Sequence, residues 1–139
     1  MARRGAESAP DPPEAGGGRV GPGLRVWLQA GGEPVFGPGM LRLLVLTTQL
    51  GSLNKAAGKL GMSYSKAHRM LQKAEGELGV KLLERRIGGV DGGGSALTPD
   101  GERLVAAFVA LRREAYENLQ ALFEKHFGAE PFAGGAGEQ

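Results

Sequence analysis

The sequence predicts a mainly helical α+β fold, and three observations carry that prediction. Apolar residues recur at helical spacing, most regularly between Pro99 and Phe127. Two shorter helical segments lie side by side in the chain, joined by a turn around Gly61. Directly after them come an extended segment, a glycine-rich stretch and a second extended segment. Together these describe a winged helix-turn-helix with an N-terminal β-hairpin, a Gly-rich wing and a long C-terminal helix.

Each element has a local reason. Leu24–Gln29 alternates imperfectly, Gly31-Gly32-Glu33-Pro34 interrupts it, and Val35-Phe36 follows, which predicts a short β-hairpin. Pro38 suits the first turn of a helix carrying Met40, Leu43, Leu44, Leu46, Thr47 and Leu50, and Gly51 stops that helix. Ser52 is an N-cap for a second helix, Leu53 to Leu60. Ser63 caps a third, which runs to about Leu78 and closes on Gly79. Val80 to Ile87 reads as a short strand, Gly88 to Ser95 as a loop, and Ser95-Ala96-Leu97 as the returning strand. Thr98 as N-cap, Pro99 at the first helical position and Asp100 near the positive helix end then start a long helix. If it reaches Phe127 it spans about 45 Å.

Composition divides the chain. Residues 1–23 hold six of the 25 Gly and four of the eight Pro without periodic apolar positions, so a disordered tail is expected there. Residues 128–139 read as a second disordered tail. Between them lie a winged helix-turn-helix domain, residues 24–97, and a long dimerisation helix, residues 98–127.

Several function classes are excluded or disfavoured. The chain has no Cys, which removes disulfides, Cys-ligated zinc and thiol catalysis. His68 and His126 stand far apart and outside any HExxH spacing, so no metal site is expected. The longest apolar run, Met40 to Leu46, is broken by Arg42, well short of the ~18 residues of a membrane span. The opening Met-Ala-Arg-Arg has no apolar stretch behind it, and a cytoplasmic protein without a membrane partner is expected. The glycine stretch fits neither GxxxxGK[ST] nor GxGxxG opening a helix. No nucleophile–base pair is visible, and Glu75 and Glu77, two apart on a helix, face different ways. Neither an enzyme nor a cofactor is expected.

Charge points elsewhere. From Gly51 to Ile87 there are eight basic residues against three acidic ones, a local charge of +5 in a chain whose net charge is +2. Such a patch on a near-neutral protein suits a polyanion. Within it, small Ala56 and Ala57 allow two helices to cross closely, and Leu60, Met62, Ala67, Met70 and Leu71 face inward. That leaves Ser63, Tyr64, Ser65, Lys66, His68, Arg69, Gln72 and Lys73 outward on the third helix, where they can contact phosphates and base edges. Ser52, Asn54 and Lys55 at the start of the second helix join them. Arg85 and Arg86 stand at the base of the wing, and Gly92, Gly93 and Gly94 have no side chain to keep a phosphate at a distance.

These residues carry a resemblance. Gly51-Ser52-Leu53-Asn54-Lys55-Ala56-Ala57 and Leu82-Leu83-Glu84-Arg85 resemble LysR-type winged helices. Gly61 to Ala67, together with Glu84 to Gly89 and Gly92 to Thr98, is similar to the DNA-binding domain of the ModE family of molybdate-responsive regulators. The resemblance covers about residues 24–127. It implies binding of double-stranded DNA and dimerisation. Only 12 low-complexity residues follow the long helix here, so molybdate binding is not expected from this chain alone.

Along the long helix, Leu104, Phe108, Leu111, Ala115, Leu119 and Leu122 recur at steps of four and three, close to a heptad seam. A homodimer is expected on that seam, and the resemblance implies one too. The functional expectation is a sequence-specific, DNA-binding transcription regulator, with a recognition helix at about 63–78 in the major groove and a wing, 87–96, on the backbone. The alternative is a winged-helix module that docks on another regulator without tight DNA binding.

Overall fold

In the computed structural model, the described residues are 20–87, 93–129 and 132. Most of the two expected tails, and the wing tip with Gly92, lie outside them. The element order is β1 (Leu28–Ala30), β2 (Glu33–Phe36), α1 (Pro38–Leu50), α2 (Leu53–Lys59), α3 (Tyr64–Leu78), β3 (Leu83–Ile87), β4 (Gly93–Leu97) and α4 (Pro99–Phe127). Two antiparallel hairpins, β1–β2 and β3–β4, accompany the four helices.

The helix boundaries follow from their caps. Ser52 Oγ accepts the Lys55 N–H and Ser63 Oγ accepts the Lys66 N–H, each at 3.1 Å. Thr98 Oγ1 accepts the Gly101 N–H at 2.9 Å. Gly51 and Gly79 close α1 and α3 in the left-handed region, at φ 77° and 74°, where a side chain would be strained.

The core lies between the helices and the two hairpins. Leu41, Leu43 and Leu44 of α1, Ala56 and Ala57 of α2, Ala67, Leu71 and Ala74 of α3, and Leu82 are buried together. Phe36 from β2 and Val105 and Phe108 from α4 complete it. Alanines at the α2–α3 crossing let the two helices approach closely, as a helix-turn-helix requires.

Four strand limits differ from the sequence expectation. The first strand begins at Leu28 rather than Leu24, and Glu33 and Pro34 belong to β2 instead of interrupting it. Gly31 and Gly32, at φ 58° and 83°, complete the reversal by themselves. Pro34 costs no ladder bond on the edge of a two-stranded ribbon. The strand expected from Val80 begins at Leu83, because the Lys81 and Leu82 carbonyls are engaged by Thr98: its Oγ1 donates to Lys81 O at 2.5 Å and its N–H to Leu82 O at 3.0 Å. The returning strand starts at Gly93, two residues before the expected Ser95, and pairs Arg86 with Gly94 and Arg85 with Ser95.

The long helix corrects one expectation about its seam. Gly101, Val105, Phe108 and Arg112 are its buried residues and form a stripe against its own domain. Phe108, expected on the dimer seam, packs edge to face on Phe36, and Leu104 packs partly against the same core. Leu111 and Leu122 are exposed, and Ala115 and Leu119 are half-buried.

Candidate nucleic-acid interface

Helix α3 has one apolar side. Ala67, Leu71 and Ala74 are buried, so the spacing of a 3.6-residue helix turns Ser65, Lys66, Arg69, Gln72 and Lys73 to solvent. Ser63 and Tyr64 are exposed at the N-terminal end. His68 is half-buried and its ring stacks on Tyr64, with centroids 5.6 Å apart. That contact draws both rings to the side of α3 that faces the wing. Asn54 and Lys55 are exposed at the start of α2, and Ser52 is half-buried as its cap.

Between these elements and the wing runs a cleft of about 360 Å³. Ser52 and Asn54 line it from α2, Tyr64, His68, Gln72 and Glu75 from α3, and Lys81, Arg85 and Ser95 from the wing side. Polar side chains of the helix pair therefore share this cleft with a cation of the wing. Lys66, Arg69 and Lys73 are not among its lining residues; they stand on the open surface of α3.

The wing divides its two arginines. Successive strand residues point to opposite faces. Arg85 opens on the cleft beside α3, while Arg86 lines a smaller hollow with Thr48, Gly51 and Glu102. Gly94 has a role other than the one expected. It lies in β4, where a Cβ would collide with the Gly51 carbonyl oxygen, and the next residue, Ser95, donates its N–H to that same oxygen at 2.9 Å. The missing side chain serves the packing of the wing on the α1–α2 turn. Of Gly93, the strand pairing with Ile87 is described, and Gly92 lies outside the described residues.

Sequence reasoning passed over Lys81 and Glu75 as members of this site. Glu75 accepts backbone N–H groups seven and eight residues ahead, beyond the Gly79 cap. No local pattern signals such a bond. Among the described residues no cluster of three His, Asp or Glu side chains is placed to hold a metal, and no helix is long and apolar enough to cross a membrane.

Two short crossed helices, a polar exposed second helix and a two-stranded ribbon beside it define a helix-turn-helix DNA-binding domain. Residues 39–102 match the family of bacterial regulatory helix-turn-helix proteins of the lysR type, and this stretch is similar to the helix-turn-helix domain of those regulators. The chain is similar to the molybdenum-pterin-binding protein MopB of Rhodobacter capsulatus, 34% identical over 96 residues, or 69% of this chain and 35% of that protein. It is 41% identical over 76 residues to the transcriptional regulator ModE of Haemophilus influenzae, covering 55% of this chain and 30% of the relative. Against the molybdenum transport protein ModE of Herbaspirillum seropedicae it is 39% identical over 77 residues, 55% of this chain and 29% of the relative. The chain thus spans about a third of the length of the relatives it matches. The ModE-like character read from the helix-turn-helix and wing residues agrees with these matches.

Proposed function

We propose that the chain is a sequence-specific DNA-binding regulator of transcription that acts as a homodimer. Helix α3 lies in the major groove and the wing rests on the phosphate backbone. The observation that carries this reading is the exposed face of α3. Ser65, Lys66, Arg69, Gln72 and Lys73 share one solvent-facing surface, next to a cleft that Arg85 closes from the wing. Arg and Gln read purine edges, Lys and Ser hold phosphates, and the N-terminal turn of a recognition helix contacts bases first.

The homodimer reading rests on α4. Its buried stripe ends at Arg112, and the turns beyond keep Leu122 and Phe127 about half-exposed. A second copy of the same helix covers them, and a twofold dimer then reads two half-sites about 34–36 Å apart or a multiple of it.

A fluorescence-anisotropy titration tests the reading, using the DNA upstream of the protein's own gene and a scrambled duplex at several salt concentrations. Six to eight phosphate contacts predict a log–log slope of about −5 to −7, with preference for the native duplex. Absence of salt-sensitive binding to either duplex would refute it.

A further inference from the structure

The wing leaves α3 through a very short link, and that link is held from both sides. Glu75 sits one turn before the end of α3. Its Oε2 accepts the Leu82 N–H at 2.7 Å and the Leu83 N–H at 3.3 Å. Thr98, the cap of α4, binds the Lys81 and Leu82 carbonyls from the opposite side. Leu82 between them is fully buried. Beyond Leu83 the strand carries Glu84, Arg85 and Arg86, all exposed. The direction in which the wing departs is therefore set at residues 82 and 83. Among the bonds described there, the carboxylate of Glu75 is the one that ties those residues to the helix beside the wing.

Glu75 has no electrostatic reason to stand in a DNA-facing cleft. A carboxylate there repels phosphate. Its salt bridge to Lys81 is long, 3.4 Å, and the Lys81 side chain is 78% exposed, so that pair contributes little. The hydrogen bonds to the backbone do more, because Glu75 Oε2 receives two N–H groups at the buried wing root, and a buried donor left without an acceptor is costly.

We propose that Glu75 is a positioning residue for DNA binding: its carboxylate fixes the wing root on α3 and so aims Arg85 at the backbone that α3 engages. The proposal rests on the DNA-binding reading above. It assigns Glu75 no contact with DNA, and it makes the acceptor oxygen, not the charge, the working feature.

Two variants separate these possibilities. Glu75→Ala removes the acceptor. Glu75→Gln removes the charge but can present its amide oxygen where Oε2 stands and accept both N–H groups. Two measurements are made on each full-length protein: amide hydrogen exchange without DNA, and the salt-dependent titration with native and scrambled duplexes. In Glu75→Ala, the Leu82 and Leu83 amides should exchange about tenfold faster while Leu71 and Ala74 in α3 keep wild-type protection. The salt slope should become shallower by about two, as wing contacts are lost. Preference for the native duplex should persist, because α3 is unchanged. Glu75→Gln should behave as wild type in both measurements.

Wild-type exchange and slope in Glu75→Ala would overturn the proposal, as would equal losses in both variants, which would make charge the working feature. Faster exchange throughout α3 would overturn it too, reducing Glu75 to a general stabiliser. If wild-type protein shows no salt-sensitive binding, the DNA-binding reading itself falls, and with it the aim assigned to Glu75. If wild type binds and Glu75→Ala binds identically, the role of Glu75 alone falls.

Discussion

Phe108 meets Phe36 edge to face, with ring centroids 5.0 Å apart and ring planes at 78°. Each ring is 2% exposed. The pair joins the N-terminal hairpin to the long helix, elements that share little else, and the edge-to-face geometry suits the ring quadrupoles. Phe108→Ala leaves a cavity between two elements pinned elsewhere, so the site cannot collapse to fill it. The expected loss is about 3–5 kcal/mol, a large share of the ~5–15 kcal/mol that holds a domain of this kind together. Urea unfolding followed by circular dichroism measures it. A loss below about 1 kcal/mol would mean that the hairpin is not fastened to the domain through this ring.

Two glycine substitutions should act in opposite directions. Gly94→Ala forces a Cβ into the Gly51 carbonyl, and β4 must move away while its neighbour Ser95 holds the same oxygen. The expected cost is about 1–3 kcal/mol. Gly58 lies inside α2 on its exposed side, and a Cβ added there would meet open space. Gly58→Ala should therefore stabilise by about 0.5–1 kcal/mol through helix propensity. Thermal melts of the two variants, run side by side, should bracket the wild-type midpoint.

The helix-turn-helix was legible in the sequence because its determinants are local. Ser52 and Ser63 cap bonds three residues ahead, Gly51 and Gly79 take left-handed angles one residue past their helices, and Thr98-Pro99 opens α4 where expected. The features that were not legible depend on contacts far along the chain. Phe108 fits a heptad by spacing, yet its partner, Phe36, lies in the N-terminal hairpin. The late start of β3 is set by Thr98, beyond the wing. Arg85 and Arg86 read as a pair, but strand alternation sends them to different hollows. The glycines of the wing suggested approach to phosphate, whereas the reason for Gly94 is a carbonyl more than forty residues earlier.

The division of the wing arginines makes a graded prediction. Arg69 is exposed on α3; in the proposed binding mode it reads base edges, so Arg69→Ala should weaken binding to the native duplex by about 1–3 kcal/mol while affecting scrambled DNA less. Arg85 faces the cleft beside α3 and Arg86 the hollow near Glu102. Arg85→Ala should lower affinity for both duplexes alike and reduce the salt slope of the dimer by about two, one for each copy. Arg86→Ala should also weaken both alike, and by less, because Glu84 and Glu102 line the same hollow. Anisotropy titrations at three salt concentrations read all three variants. A loss of sequence preference in Arg85→Ala would move that residue from backbone to base recognition.

The distal half of α4 gives the sharpest test of the proposed dimer. Past Arg112 none of its residues is fully buried, while Leu111, Leu122 and Phe127 are 47%, 49% and 55% exposed. Phe123 and Phe127 stack with centroids 4.6 Å apart, one turn from each other. Apolar surface of this kind at the end of a long helix is stable in water when another copy covers it. Leu122→Lys places a charge in that contact without touching the core. Burial of the charge or loss of the leucine contact, in each of two symmetric positions, should raise the dimer dissociation constant at least about 100-fold, roughly 3 kcal/mol. Sedimentation velocity should then show a monomer at concentrations where wild type is dimeric, with unchanged helical circular dichroism. Because each copy brings half of the phosphate contacts, the salt slope of the monomeric variant should fall to about half the wild-type value. A variant that sediments and binds as wild type would place the dimer contact elsewhere, and a monomeric wild type would remove it altogether.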